Sequence, residues 1–159
     1  MFDNTCDLAC IYCGPWLSSS WMQEVKREQG KYWIARDTFP NNKLLAQKAE
    51  NRTNHFIHTI ENIAKDSKKG AKYEIAFLGG EPFLSPQIKN GKFARFIEAF
   101  YKYADKETLL LLNFITNLNT PDAIWNKNAE ILNECRQKYP NLQVHISTVS
   151  YTHLRAHET

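Results

Sequence analysis

The sequence predicts an α/β fold in which parallel strands are joined by crossover helices. Three observations predict it. Short apolar runs of strand length fall at residues 73–78 and 109–115, and 143–147 reads as a third strand. Stretches with apolar residues at helical spacing lie before and between them, at 52–64, 91–104 and 120–135. The resulting order, helix-strand-helix-strand-helix-strand, leaves room for a helix in each connection, which returns the chain so that the next strand runs parallel to the last.

Taken in order, Met1 to Thr5 are too few to form a strand of ordinary length before the first cysteine, so a clipped first strand is expected. Ser18-Ser19-Ser20 offers N-caps for a helix over about 21–29, and Gly30 suits its C-cap. Residues 31–51 are irregular, an insertion with a turn at Pro40-Asn41-Asn42 and a short helix over 43–50. From Arg52, the spacing of Phe56, Ile60, Ile63 and Ala64 predicts a helix that Lys68-Lys69-Gly70 ends. The run 73–78 then reads as a buried strand closed by Gly79-Gly80.

A helix over 91–104 places Phe93, Phe96, Ile97 and Phe100 on one face, and 109–115 is a second buried strand. Thr120-Pro121-Asp122 has the form of a helix start: an N-cap, a proline at the first helical position and an acid near the positive end of the dipole. Ile124, Ile131, Leu132 and Cys135 form the stripe of that helix, and 143–147 is the third strand. No internal repeat or low-complexity tract interrupts this pattern. The eleven residues from Val149 to Thr159 continue neither strand nor helix. They match the conceptual translation of the transposon-end adapter used in preparing sequencing libraries. Residues 149–159 are therefore expected to be adapter-derived, with native sequence ending near Ser147, and the tail histidines His153 and His157 carry no metal argument.

With 43% hydrophobic and 13% aromatic residues, the chain can fill one core. Its net charge of +3 is dispersed and does not demand nucleic acid as a partner. No apolar run reaches membrane-span length and no signal pattern opens the chain, so a cytoplasmic location is the default expectation.

Three of the four cysteines crowd together as Cys6-x3-Cys10-x2-Cys13, while Cys135 stands apart. A loop this short lets three thiolates converge on one inorganic centre that lacks a fourth ligand. Soft thiolates favour an iron-sulfur cluster or zinc. A 4Fe-4S cluster held by three of them keeps one iron open. Zinc would need completion by His55 or His58, which share a helix face, and it leaves the glycine-rich strand end unexplained. Cys135 lies on an apolar stripe and reads as a buried thiol. Trp16, Trp21 and Trp33 could line a pocket but suit a core as well. Asn51-Arg52-Thr53 matches a glycosylation acceptor that a cytoplasmic protein would not use.

The cysteine spacing, with the aromatic Tyr12 before the last cysteine, resembles the signature of the radical S-adenosylmethionine superfamily. Gly79-Gly80-Glu81-Pro82 at the end of a strand resembles that family's GGEP motif. Cys13-Gly14-Pro15, Ser18-Ser19-Ser20 and Trp21 are similar to members with a C-terminal twitch domain and a further cluster.

The resemblance implies a (β/α)6 partial barrel, of which residues 1–148 supply about the first half. It implies a 4Fe-4S cluster on Cys6, Cys10 and Cys13 whose open iron chelates S-adenosylmethionine. Reductive cleavage would yield a 5'-deoxyadenosyl radical that abstracts hydrogen from an unknown substrate, a small molecule or peptide. An electron donor such as a flavodoxin or ferredoxin is implied as a partner. Gly79, Gly80, Glu81 and Pro82 would line the methionine amino group, with glycine permitting close approach and a carboxylate accepting from ammonium. Tyr12 would meet adenine through its backbone, and Thr116, Asn117 and Ser147 are candidates for ribose or carboxylate contacts at strand ends. The implied enzyme is the parent protein, with this fragment alone inactive. The alternative is a non-catalytic three-cysteine zinc or iron-sulfur module.

Overall fold

The structure, a computed structural model, describes residues 19–28, 42–77 and 81–148. The cysteine loop, Gly30, Trp16, Trp33, the 31–41 part of the insertion, 78–80 and the tail 149–159 lie outside the described residues.

Three strands, β1 (Lys72–Phe77), β2 (Leu109–Thr116) and β3 (Leu142–Thr148), form an open parallel sheet in the order β1-β2-β3. Each lies within a residue or two of its expected place. A long apolar run can be satisfied only where neighbouring strands take up its backbone groups, and β2 is the central strand. The register sets Phe77 beside Phe114 and Ile115 beside Ser147.

Four α-helices accompany the sheet: α1 (Ser19–Arg27), α2 (Asn42–Lys65), α3 (Ala94–Tyr101) and α4 (Asp122–Lys138). On α1, Met22 and Val25 are buried. The short helix expected over 43–50 is present, and it runs on without a break into the one expected from Arg52 as a single helix. No glycine or proline falls between Asn42 and Lys65, and Lys43, Gln47, Lys48 and Glu50 are good helix formers.

The expected helix over 91–104 is shorter, because Gly91 takes a φ of 78° and the chain reaches helical geometry only afterwards. A 3-10 turn over Pro82–Leu84 and a chain of tight turns fill the space before it. The helix α4 is also started differently. Pro121, not Thr120, is its N-cap, and its carbonyl accepts from Ile124 and Trp125.

The side chains of α2, α3 and α4 pack on the face carrying Phe77, Leu110, Leu112, Phe114 and Leu142. Four aromatic rings meet there: Phe114 stacks on Phe77 at 4.7 Å and on Phe83 at 4.9 Å, and meets the edge of Phe93 at 5.8 Å. Asn128, buried on the α4 stripe, accepts from the Gly91 N–H at 2.8 Å and so ties α4 to the turn before α3. The opposite face, with Glu74, Leu111, Asn113, Ile115 and His145, is half-buried to exposed. Among the described residues, no helix is long and apolar enough to cross a membrane.

Candidate functional site

The carboxyl ends of β1 and β2 hold a polar cluster built around one carboxylate. Glu81 is fully buried. It precedes Pro82 and Phe83, and Phe83 is itself buried between Phe114 and Trp125, so an aromatic anchor holds the loop after β1 against the core. Burying a carboxylate costs several kcal/mol unless its acceptor positions are filled.

Here they are filled by the protein's own donors. The Thr116 hydroxyl lies 2.8 Å from both carboxylate oxygens and the Asn117 N–H donates to one of them at 2.8 Å. The Phe83 N–H donates at 3.3 Å and the Thr120 hydroxyl at 3.4 Å. Charge-assisted bonds of this kind contribute about 1.5–3 kcal/mol each, enough together to offset the burial.

The same cluster shapes the loop after β2. Thr116 Oγ1 accepts from the Leu118 N–H at 3.0 Å and Asn117 Oδ1 accepts from the Asn119 N–H at 2.8 Å. Between these bonds Leu118 is held at a φ of 59°, in the left-handed region that a leucine rarely adopts, and its side chain is exposed.

Of the site residues expected from the sequence, Glu81, Pro82, Thr116 and Asn117 are therefore brought together. Ser147 is not. It pairs in register with Ile115, and strand alternation puts it on the sheet face opposite Thr116. Tyr12, Gly79, Gly80 and the three ligand candidates Cys6, Cys10 and Cys13 lie outside the described residues. Thr120 is the participant that sequence reasoning missed. Its place beside Pro121 signals a helix cap, and only the spatial position of Glu81 reveals its other use.

Three thiolates at the Cys6, Cys10, Cys13 spacing are a donor set that suits an iron-sulfur centre. The described residues hold no group of three or more His, Cys, Asp or Glu placed to bind a metal. His55 and His58 are exposed on α2. A groove of about 460 Å³ on the helix layer is open; Lys102 pairs with Glu61 there at 2.9 Å and Lys138 with Glu98 at 3.8 Å, and Arg95 donates to Asn54 at 3.4 Å. It has no link to the strand ends. No family model, curated protein or solved structure matches the chain.

Cys135 sits in the core, 9% exposed, as the stripe on α4 predicts. Burial pushes its thiol above the usual range, Glu98 and Glu134 add to that shift, and Lys138 opposes it. A raised thiol holds less thiolate at neutral pH, and thiolate is the reactive form. Iodoacetamide at neutral pH should thus leave Cys135 unmodified in the folded chain and label it after denaturation. Rapid labelling of folded protein, read by peptide mass spectrometry, would contradict its placement in the core.

Proposed function

We propose that this chain is the N-terminal part of the core of a radical S-adenosylmethionine enzyme, in which Cys6, Cys10 and Cys13 hold a 4Fe-4S cluster. The proposal is carried by the presence, in one chain, of a C-x3-C-x2-C loop and a Gly79-Gly80-Glu81-Pro82 strand end. Each feature alone has an ordinary explanation. The fold supports their pairing, because Glu81 and Pro82 follow the first strand of a parallel sheet at its carboxyl edge, where ligands of such folds collect. Strands in consecutive order with helices packed on one face also suit the wall of a barrel, of which these three strands are a part.

When bound, the cluster and S-adenosylmethionine supply one-electron cleavage of a carbon-sulfur bond and a radical that takes hydrogen from substrate. The chain's own residues hold and shelter that chemistry. Cys6, Cys10 and Cys13 would hold the cluster and would leave one iron open to the cofactor. Glu81, Thr116 and Asn117 fix the edge of the sheet beside the Gly79-Gly80 backbone in sequence. A small-molecule or peptide substrate and an electron donor such as a flavodoxin or ferredoxin complete the system.

Anaerobic reconstitution with iron and sulfide tests this. Cys6→Ala, Cys10→Ala and Cys13→Ala should each lose most of the bound iron and its broad visible absorbance. Cys135→Ala should keep both. Stoichiometric colourless zinc in place of iron would favour a three-cysteine structural module.

A further inference from the structure

We infer that Glu81 is a positioning residue, which locks the loop after β1 to the loop after β2, and that it is not itself a contact for the methionine ammonium. The inference rests on the function proposed above for the meaning of the site, but its geometry stands alone. A carboxylate offers about four acceptor positions. Four groups of this chain already donate to Glu81: the Thr116 and Thr120 hydroxyls and the Asn117 and Phe83 amides. The side chain is fully buried, with no face turned to solvent. Three of the four donors are buried, and an ammonium that displaced one of those would leave it unpaired in the interior, which costs as much as the new bond returns; the fourth, Thr120, is half-buried.

What the carboxylate does instead is visible in what it touches. Thr116 and Asn117 lie 35 and 36 residues away in the chain, at the end of the neighbouring strand. Thr116 passes the restraint on to the Leu118 N–H, and Leu118 is kept in a conformation it would otherwise leave. Glu81 thus determines where the backbone and side-chain groups of the loop after β2 stand at the ligand edge. Contacts to a ligand there fall to those groups and to the backbone beside Glu81.

The test compares Glu81→Gln, Thr116→Val, the double variant and the conservative Thr116→Ser in the full chain. Two readouts are used: hydrogen exchange of peptides spanning 116–121, and binding of S-adenosylmethionine by equilibrium dialysis on the reconstituted protein. Glutamine keeps the shape of Glu81 but offers one acceptor oxygen instead of two. Glu81→Gln and Thr116→Val should each speed exchange over 116–121 by about tenfold or more. The double variant should be no faster than the faster single one, since both break one unit. Thr116→Ser should restore protection.

Binding should weaken to a similar degree in Glu81→Gln and Thr116→Val. A ligand role predicts the reverse for Thr116→Val, which frees the carboxylate and would leave binding intact or stronger. That result, or unchanged exchange in Glu81→Gln, overturns the inference. If wild-type chain binds no S-adenosylmethionine, the proposed function falls, and the exchange measurements still decide whether Glu81 positions the loop.

Discussion

Phe114→Ala is expected to lower the unfolding free energy by about 3–5 kcal/mol, the usual cost of emptying a large aromatic site in a core. The side chain is fully buried at the centre of the sheet's covered face. Its ring contacts Phe77 on β1, Phe83 in the loop that leads from Glu81, and Phe93 before α3. These rings come from three separate elements, so none can collapse into the vacancy without moving its own backbone. Domains of this size are stable by only about 5–15 kcal/mol, and the variant should populate unfolded chain under mild denaturant. Phe56→Ala is the control: Phe56 lies on α2 and is 39% exposed, and its loss should change stability by about 1 kcal/mol or less. Urea unfolding followed by circular dichroism gives both numbers. Equal effects in the two variants would mean that the sheet does not carry the core described here.

Gly91→Val is expected to cost about 2–5 kcal/mol, from two sources. The backbone is at a φ of 78°, which for a branched residue costs about 1–3 kcal/mol. A side chain there also has nowhere to go. A Cβ at Gly91 would fall inside contact distance of Ile131 Cδ1 and 2.9 Å from Ile131 Cγ2, and overpacking of this kind costs about 1–3 kcal/mol. Gly70 separates the two terms. It has a φ of 76°, and an added Cβ meets nothing within 4 Å, so Gly70→Ala should show the backbone cost alone, about 1–2 kcal/mol. If Gly91→Ala costs no more than Gly70→Ala, the close packing of α4 on the turn before α3 is wrong. Trimming the obstacle with Ile131→Ala should reduce the penalty at Gly91.

The strands were legible because β2 is almost wholly apolar, as the central strand of a parallel sheet requires, and because Tyr73, Ile75 and Phe77 in β1 and Leu142, Val144 and Ile146 in β3 recur at every second position. The aromatic stripe of Phe93, Phe96, Ile97 and Phe100 was legible as core, and all four are buried. The helix boundary was not, since Gly91 and Phe93 sit within a helical pattern while the glycine's backbone conformation depends on Asn128 and Ile131, contributed by α4. The unbroken α2 was hidden by polar residues whose helix propensity is good but whose periodicity is weak.

The candidate site divides along the same line. Glu81 and Pro82 were singled out by a local motif. That Thr116 and Asn117 bond to Glu81, and that Thr120 joins them rather than capping α4, depends on the register of β1 against β2. Ser147 depends on register in the same way: nearness to the end of a strand says nothing about which face a residue occupies, and the pairing with Ile115 puts it on the face opposite Thr116.

The most direct test of the central claim, a three-cysteine cluster with one iron open to S-adenosylmethionine, is electron paramagnetic resonance of the reconstituted, dithionite-reduced chain with and without that ligand. A reduced 4Fe-4S signal whose shape and g values change on addition of S-adenosylmethionine, and which is absent from Cys10→Ala, is the predicted result. A spectrum indifferent to the ligand, or a chain that takes up no iron with all three cysteines intact, would contradict the account.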